Sequence, residues 1–350
     1  MYLFFKRRIC RNKFIRTNKM IIVTGGAGFI GSNFILSWLE RFDEKIMNID
    51  NLSYAADLNN LKDIENNSNY SFKKLNIQNQ DEITTLILET KPRAILNFAA
   101  ESHVDRSIED PENFINSNII GTYSLLGASL QYWNSLGERE KENFRFFHIS
   151  TDEVFGSLNI NDKKSTEQSP YKPNSPYSAS KAASDHLVRA WHHTFELPTL
   201  ISNCTNNYGP HQHHEKLIPL IITNALENKN LPIYGDGKNI RDWLYVKDHC
   251  EAIIKILANG KPGETYNIGG SCEKNNLEVV SEICKILDSI KPKQDGSSYE
   301  EQIEFVKDRP GHDFRYSLDT SKIEKDFNWK PKESFTSGLE KTIQWYLNKA

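Results

Sequence analysis

Cysteine is scarce and scattered in this sequence: Cys10, Cys204, Cys250, Cys272 and Cys284 are odd in number and form no C-x-x-C. That pattern argues against a disulfide framework or a common zinc site and suits free thiols in a reducing, cytoplasmic compartment. No apolar run approaches the ~20 residues of a membrane span, so a membrane role has no support. An excess of positive charge is missing too. With 43 Lys+Arg against 46 Asp+Glu the formal net charge is -3, which gives nucleic-acid binding no electrostatic footing. Acids are absent from residues 1–19, where Lys6, Arg7, Arg8, Arg11, Lys13, Arg16 and Lys19 accumulate. The apolar stretch Tyr2–Phe5 is too short for a secretory core, and the serines usual in an organellar transit peptide are lacking. Residues 1–19 therefore read as a disordered basic extension, with Met20 as an alternative start.

From Met20 onward apolar strands and amphipathic helices alternate. The pattern predicts strands at 20–24, 45–49, 70–75, 93–98 and 144–149, and helices near 29–41, 80–90, 111–134 and 177–195. Such alternation implies an α/β fold, a doubly wound parallel sheet with helices on both faces. After Cys204 the texture changes to loops rich in Asn, Gly and Pro, which marks a second, smaller α/β domain. The expected division is 20–203 plus about 240–262 for a Rossmann-like domain, and 204–239 with 263–350 for a substrate-binding domain.

The strand Met20–Thr24 runs into Gly25, Gly28 and Gly31 and then a helix, spaced G-x-x-G-x-x-G. Glycine is needed where backbone turns tightly against a pyrophosphate resting on a helix N-terminus. Asp50 ends the second strand, about 20 residues after the last glycine, where an acid holds ribose hydroxyls. Its charge would repel a ribose phosphate, and no arginine follows in Asn51-Leu52-Ser53, so the expected cofactor is NAD rather than NADP.

Tyr177 and Lys181 stand four apart on a predicted helix and share a face. A phenol titrates near ~10 and is a weak base at neutral pH; an adjacent ammonium is expected to lower that value. Beside a nicotinamide, such a tyrosine takes a hydroxyl proton while the carbon gives up hydride. Thr151, Asp152 and Glu153 follow the fifth strand, at the sheet edge where such folds do chemistry. Two carboxyl groups there suggest that oxidation is only a first step. A solvated acidic pair or a helix cap is the plain alternative.

These residues lie in motifs that resemble the extended short-chain dehydrogenases/reductases. The superfamily-wide ones are TGGAGFIGS at 24–32 and YSASK at 177–181. STDEVFG at 150–156 and DRPGHD at 308–313 narrow the resemblance to nucleotide-sugar 4,6-dehydratases of the dTDP-glucose type. AAESHVDRSI at 99–108, NNYGP at 206–210, EKLIP at 215–219, IRDWLYV at 240–246 and GETYNIGG at 263–270 extend it over nearly the whole chain. The resemblance implies a lyase of deoxysugar (rhamnose-type) nucleotide-sugar biosynthesis with tightly bound NAD. Oxidation at C4 of a hexose makes the C5 proton acidic, water is lost across C5–C6, and hydride returns to C6. Tyr177 would deprotonate the C4 hydroxyl, Lys181 would support it and bind the nicotinamide ribose, and Thr151 would bond the C4 oxygen. Glu153 would be the C5 base and Asp152 the C6 acid.

Positions matching the family's cofactor lining are Phe29, Ile30, Asn51, Leu52, Ser53, Ile77, Phe98, Ala99, Ala100, Glu101, Ser102, Ser117 and Asn207; Asn76 stands where an aspartate is usual. Those matching its substrate site are Ser102, Thr151, Asn206, Lys216, Leu217, Pro232, Ile233, Tyr234, Arg241, Asn276, Asp308, Arg309, Pro310, Gly311 and His312. Arg241 and Arg309 also make physical sense, since a diphosphate takes planar bidentate donors. His211, His213 and His214 fit no common metal spacing, and no metal is expected. The resemblance further implies a homodimer joined through helices 111–134 and 177–195. Three alternatives remain open: a nucleotide-sugar 4-epimerase, a dehydratase for a UDP-, GDP- or CDP-sugar, and an inactive NAD-binding regulator.

Overall fold

The computed structural model describes residues 20–349; the basic extension lies outside them. The strands are β1 (Met20–Thr24), β2 (Lys45–Asp50), β3 (Tyr70–Lys74), β4 (Ala94–Asn97), β5 (Arg145–Thr151) and β6 (Thr199–Cys204), then β7 (Asn206–Tyr208), β8 (Leu231–Tyr234), β9 (Ile240–Tyr245), β10 (Thr265–Ile268), β11 (Glu273–Asn275) and β12 (Ile303–Val306). Seven form one parallel sheet in the order β10-β6-β5-β4-β1-β2-β3. β1 shows why both faces are apolar. Ile21 and Val23 enter one hydrophobic cluster and Ile22 another, because side chains alternate and helices cover both sides. Helices Phe29–Arg41 and Val246–Asn259 close the first face; Gln80–Thr90, Gly121–Asn134 and Pro176–Phe195 close the second. Each fully buried Ile, Leu or Phe contributes about 1.5–3 kcal/mol. The strand order reverses between β1 and β4, so their carboxyl ends diverge and leave a crevice.

A second core gathers β7, β9 and β11, the pair β8/β12, and helices Leu217–Leu226, Asn276–Ile290 and Phe335–Lys349. Two parts of the expected division are corrected here. β10 was assigned to the substrate domain, but Tyr266 and Ile268 are buried and the strand pairs with β6 as the seventh strand of the large sheet. β9 was assigned to the Rossmann-like part, but it lies between β11 and β7 in the small sheet. The helix expected at 111–134 is also interrupted: Pro111–Phe114 passes through one wide π turn, Ile115–Ile120, into Gly121–Asn134. A Cβ on Gly121 would stand 2.6 Å from Ile77 Cδ1, so a larger residue there would require the Ile77 side chain to move.

Candidate active site

A cleft follows the carboxyl ends of the central strands. All the residues expected at the cofactor line it except Leu52, whose backbone N–H instead donates to Asp50 Oδ1 at 2.8 Å. Gly25 has φ +69, and a Cβ there would lie 2.6 Å from Ala99 N; on Gly31 it would lie 2.3 Å from Gly25 O. Both glycines are therefore demanded by backbone, which cannot yield. The helix that follows begins at Gly28 without a side-chain cap, leaving its first N–H groups directed at the cleft. Asp50 Oδ2 accepts from Ala27 N at 3.0 Å. Each carboxylate oxygen thus has one backbone donor and lone pairs to spare. Asn76 Oδ1 accepts from Gln78 N, leaving its amide N–H groups to donate.

The helix bearing Tyr177 starts in a capping box, with Ser175 and Ser178 bonded reciprocally and Pro176 in the first turn. Tyr177 and Lys181 are consequently fixed at the helix start, both buried. Lys181 Nζ donates to Ile149 O at 2.8 Å and lies 3.3 Å from His148 Nε2. Burial pushes its ammonium down to about 8, against Asp185, which holds it up. Burial, then Glu153 and Cys204, pushes the Tyr177 hydroxyl well above the usual phenol range, with a Thr151 hydrogen bond opposing. The Lys181 ammonium is turned toward the β5 carbonyl, and burial, ahead of the surrounding acids, dominates the phenol.

Thr151 ends β5, and its hydroxyl accepts from Glu153 N at 3.3 Å and lies 3.3 Å from Asp152 Oδ1. Asp152 Oδ2 is buried without a partner. Burial and then Glu153 drive the Asp152 carboxyl well above its ordinary range, with Arg241 opposing. Burial also raises Glu153, but Arg309, Arg241 and Lys216 all pull it back. Both acids are therefore raised but unequally: Asp152 is pushed furthest toward the protonated form, while three cations oppose the rise of Glu153.

Of the expected substrate residues, Ser102, Thr151, Asn206 and Lys216 line the cleft, and Lys216 Nζ donates to Ser102 O at 2.8 Å. The others stand on the second lobe. Arg241 is buried, its guanidinium 4.5 Å over the Tyr316 ring and bonded to the Asp313 carbonyl at 3.0 Å. Arg309 pairs with Asp105 at 3.4 Å, and His312 with Asp308 at 2.7 Å beside Tyr234. Pro232 and Tyr234 lie on the outward side of β8, whereas the Ile233 side chain is buried in the second core and Leu217 packs on it. Asn276 N donates to Asn239 O at 3.1 Å, and Gly311 turns with φ +65 after Pro310.

His213, His214 and Glu215 bring three donor atoms within 4.8 Å of one another. Glu215 is engaged by Arg106 at 2.7 Å, and Lys216 adds a second cation, so the local field opposes a divalent ion. Sequence reasoning missed Asn118. Set in the π turn, it accepts from Glu101 N at 2.9 Å and donates to Glu101 O at 3.0 Å and Ser180 Oγ at 2.8 Å, tying the cofactor-side loop to the Tyr177 helix. Tyr54 was also missed: it lines the cleft beneath the Arg106 guanidinium, 3.8 Å from its ring centre.

Residues 22–342 match the family model described as GDP-mannose 4,6 dehydratase. The chain is 54% identical over 326 residues to a dTDP-glucose 4,6-dehydratase from Xanthomonas campestris, covering 93% of this chain and 92% of that protein. It is similar in structure to the Bacillus anthracis dTDP-glucose 4,6-dehydratase in complex with NAD, with TM-score 0.83, 45% identity and coverage of 94% and 97%. The Streptomyces venezuelae dTDP-glucose 4,6-dehydratase with NAD and TYD bound gives TM-score 0.84, 40% identity and coverage of 94% and 97%.

Proposed function

This chain belongs to the dTDP-glucose 4,6-dehydratase family of extended short-chain dehydrogenases/reductases, and from that membership and the chemistry of its cleft we infer its reaction. It converts dTDP-glucose to dTDP-4-keto-6-deoxyglucose with NAD as a recycled cofactor. The cleft fits that cofactor: the glycine turn leaves no room for a Cβ, the helix start offers uncapped N–H groups, and Asp50 presents a carboxylate suited to ribose hydroxyls. Bound there, NAD accepts hydride from C4 and returns it to C6.

The observation that carries the reading is the divergence of Asp152 and Glu153 beside Tyr177. In our assignment Tyr177 removes the C4 hydroxyl proton and Thr151 bonds the C4 oxygen. Lys181 holds the nicotinamide ribose and adds a positive field. Glu153, whose rise by burial is opposed by Arg309, Arg241 and Lys216, then takes the C5 proton. Asp152, kept protonated by burial and by Glu153, gives its proton to the departing C6 hydroxyl, which leaves as water. An epimerase, which only oxidises and re-reduces C4, has no use for this pair. Arg241, Arg309 and Lys216 are assigned to the diphosphate, with Tyr234 and His312 at the nucleotide end. Incubation with dTDP-glucose and, separately, UDP-glucose tests the reading. The 4-keto-6-deoxy product is expected from the dTDP-sugar; its absence with both refutes the assignment.

We also propose a homodimer. Ile115, Ile120 and Tyr123 on one helical segment and Phe195 on the other are exposed apolar residues, with Trp191 in edge-on contact with both Tyr123 and Phe195. Leu125 and Leu126 instead face the sheet core and contribute nothing to that surface. A monomeric mass at micromolar concentration refutes the dimer. Among the described residues no helix is long and apolar enough to cross a membrane; a cytoplasmic location is proposed from the free cysteines.

A further inference from the structure

Beneath Lys181 lies a buried polar group that the reaction above does not use. Asp185 is one helical turn further along, on the same face. Its Oδ2 accepts from Ser150 Oγ at 2.9 Å, Tyr171 OH at 2.8 Å and Asn203 Nδ2 at 3.2 Å. Three donors on one oxygen stabilise the ionised form in a place where an isolated charge would be costly. The other oxygen, Oδ1, has no hydrogen-bond partner and lies 3.5 Å from His148 Nε2. His148 is wholly buried, and its Nδ1 faces Asn97 Nδ2 at 3.1 Å. Asn97 is oriented by Thr24, whose hydroxyl donates to Asn97 Oδ1 at 2.7 Å. The His148 ring is thus held by Asn97 on one side, and on the other its Nε2 faces the free Asp185 oxygen. Lys181 Nζ stands 3.3 Å from the same ring nitrogen and donates to Ile149 O.

We propose that Asp185 and His148 are positioning residues for the active-site lysine. Asp185 supplies the negative charge that keeps the Lys181 ammonium protonated in a dry site, and His148 wedges between the two and fixes where the ammonium points. The proposal rests on the reading above, in which Lys181 acts as a cation. The titratable groups around the lysine are few. Asp185 faces it from its own helix, His148 from β5 and Cys204 from β6, with Tyr177 one turn earlier. Burial drives His148 well below its usual range and the Cys204 thiol up to about 12, so both are neutral at working pH. Burial raises the Asp185 carboxyl as well, but Lys181, Ser150, Tyr171 and Asn203 all pull it back, and its charge opposes the burial that pushes the Lys181 ammonium down.

The test is the pH dependence of dTDP-glucose dehydration by the NAD-loaded enzyme. Activity needing the ammonium is lost as pH rises through the Lys181 pKa, which gives a basic limb. Asp185→Asn removes the countercharge and is expected to move that limb down by at least about one pH unit, with NAD content retained. Tyr171→Phe removes one of the three donors and weakens the carboxylate form. Its ring stays packed on Phe155, at 5.1 Å, so folding is preserved and the limb should move the same way by less. If Asp185→Asn does not fold, Tyr171→Phe decides alone. A basic limb at the wild-type pH in the folded variants overturns the proposal, provided Lys181→Met is inactive. Full turnover in Lys181→Met overturns the functional reading itself and the proposal with it.

Discussion

Glu153→Gln separates oxidation from dehydration in one substitution. The amide keeps the size of the side chain and leaves the bond from residue 153 N–H to Thr151 Oγ1 in place, but it cannot accept the C5 proton. Losing a general base slows the step it serves by about 10²–10⁴, or roughly 3–5 kcal/mol. The earlier step responds in the opposite sense. After burial, Glu153 is the largest influence holding the Tyr177 hydroxyl high, so neutralising it lowers the phenol pKa. A base with a lower pKa is deprotonated at lower pH, and the acid limb of C4 oxidation should move downward. Mixing the variant with dTDP-glucose in a stopped-flow cell should therefore give enzyme-bound NADH absorbance as fast as or faster than the wild type. That absorbance should persist, and product should be nearly absent. Wild-type turnover in Glu153→Gln refutes the reasoning, returns the acidic pair to a solvated-loop role and makes a C4 epimerase the better reading.

Other expectations follow from the same geometry. Tyr177→Phe should give no NADH signal at all, and Asp152→Asn should resemble Glu153→Gln, because it impairs loss of the C6 hydroxyl after oxidation; stopped-flow traces check both. Asp50→Ala strips the acceptor from Ala27 N and Leu52 N, each loss costing about 1–3 kcal/mol locally, and should lower the NAD content of the purified protein; unchanged NAD content, or equal activity with NADP, refutes the ribose assignment. His249 is buried and held down to about 3, so it stays neutral in the fold while the unfolded chain protonates near ~6.5. A depressed folded pKa means stability is lost as pH falls below that unfolded value, by about 1.4 kcal/mol per pH unit for this group. Chemical denaturation at pH 6.5 and 5.5 should show that loss diminished in His249→Gln.

Much of this architecture was legible because the signals are local. Five strands were placed within two residues, helped by apolar runs such as Met20–Thr24, stopped by Gly25, and 45–49, stopped by Asp50. The glycine turn and the i,i+4 pair of Tyr177 and Lys181 are also fixed by spacing alone. What escaped were properties set by distant partners. β10 is four residues long, and only its pairing with β6 reveals that it belongs to the large sheet. Asn118 looks like any polar helix residue until the π turn points it at Glu101 and Ser180. Lys181 was expected to act on Tyr177, yet its nearest partners lie on β5, brought there by the packing of helix on sheet.

The polarity of the acid–base pair shows how the two lobes depend on each other. Asp152 and Glu153 are adjacent in sequence, the first buried and the second half-buried, and both are raised by desolvation. Nothing in their own strand end tells them apart strongly. The difference comes from the cations facing them: Arg309, Arg241 and Lys216 all act on Glu153, while on Asp152 the Arg241 charge is set against Glu153 and Asp242. Arg241 and Arg309 belong to the second lobe, and in our assignment they bind the substrate diphosphate. Their charge would then be shared between two anions, so substrate binding should relax the hold on Glu153 and raise its basicity at the moment a C5 proton must be removed. Sharing the arginines in this way makes the carboxylate a stronger base only when a nucleotide-sugar is in place.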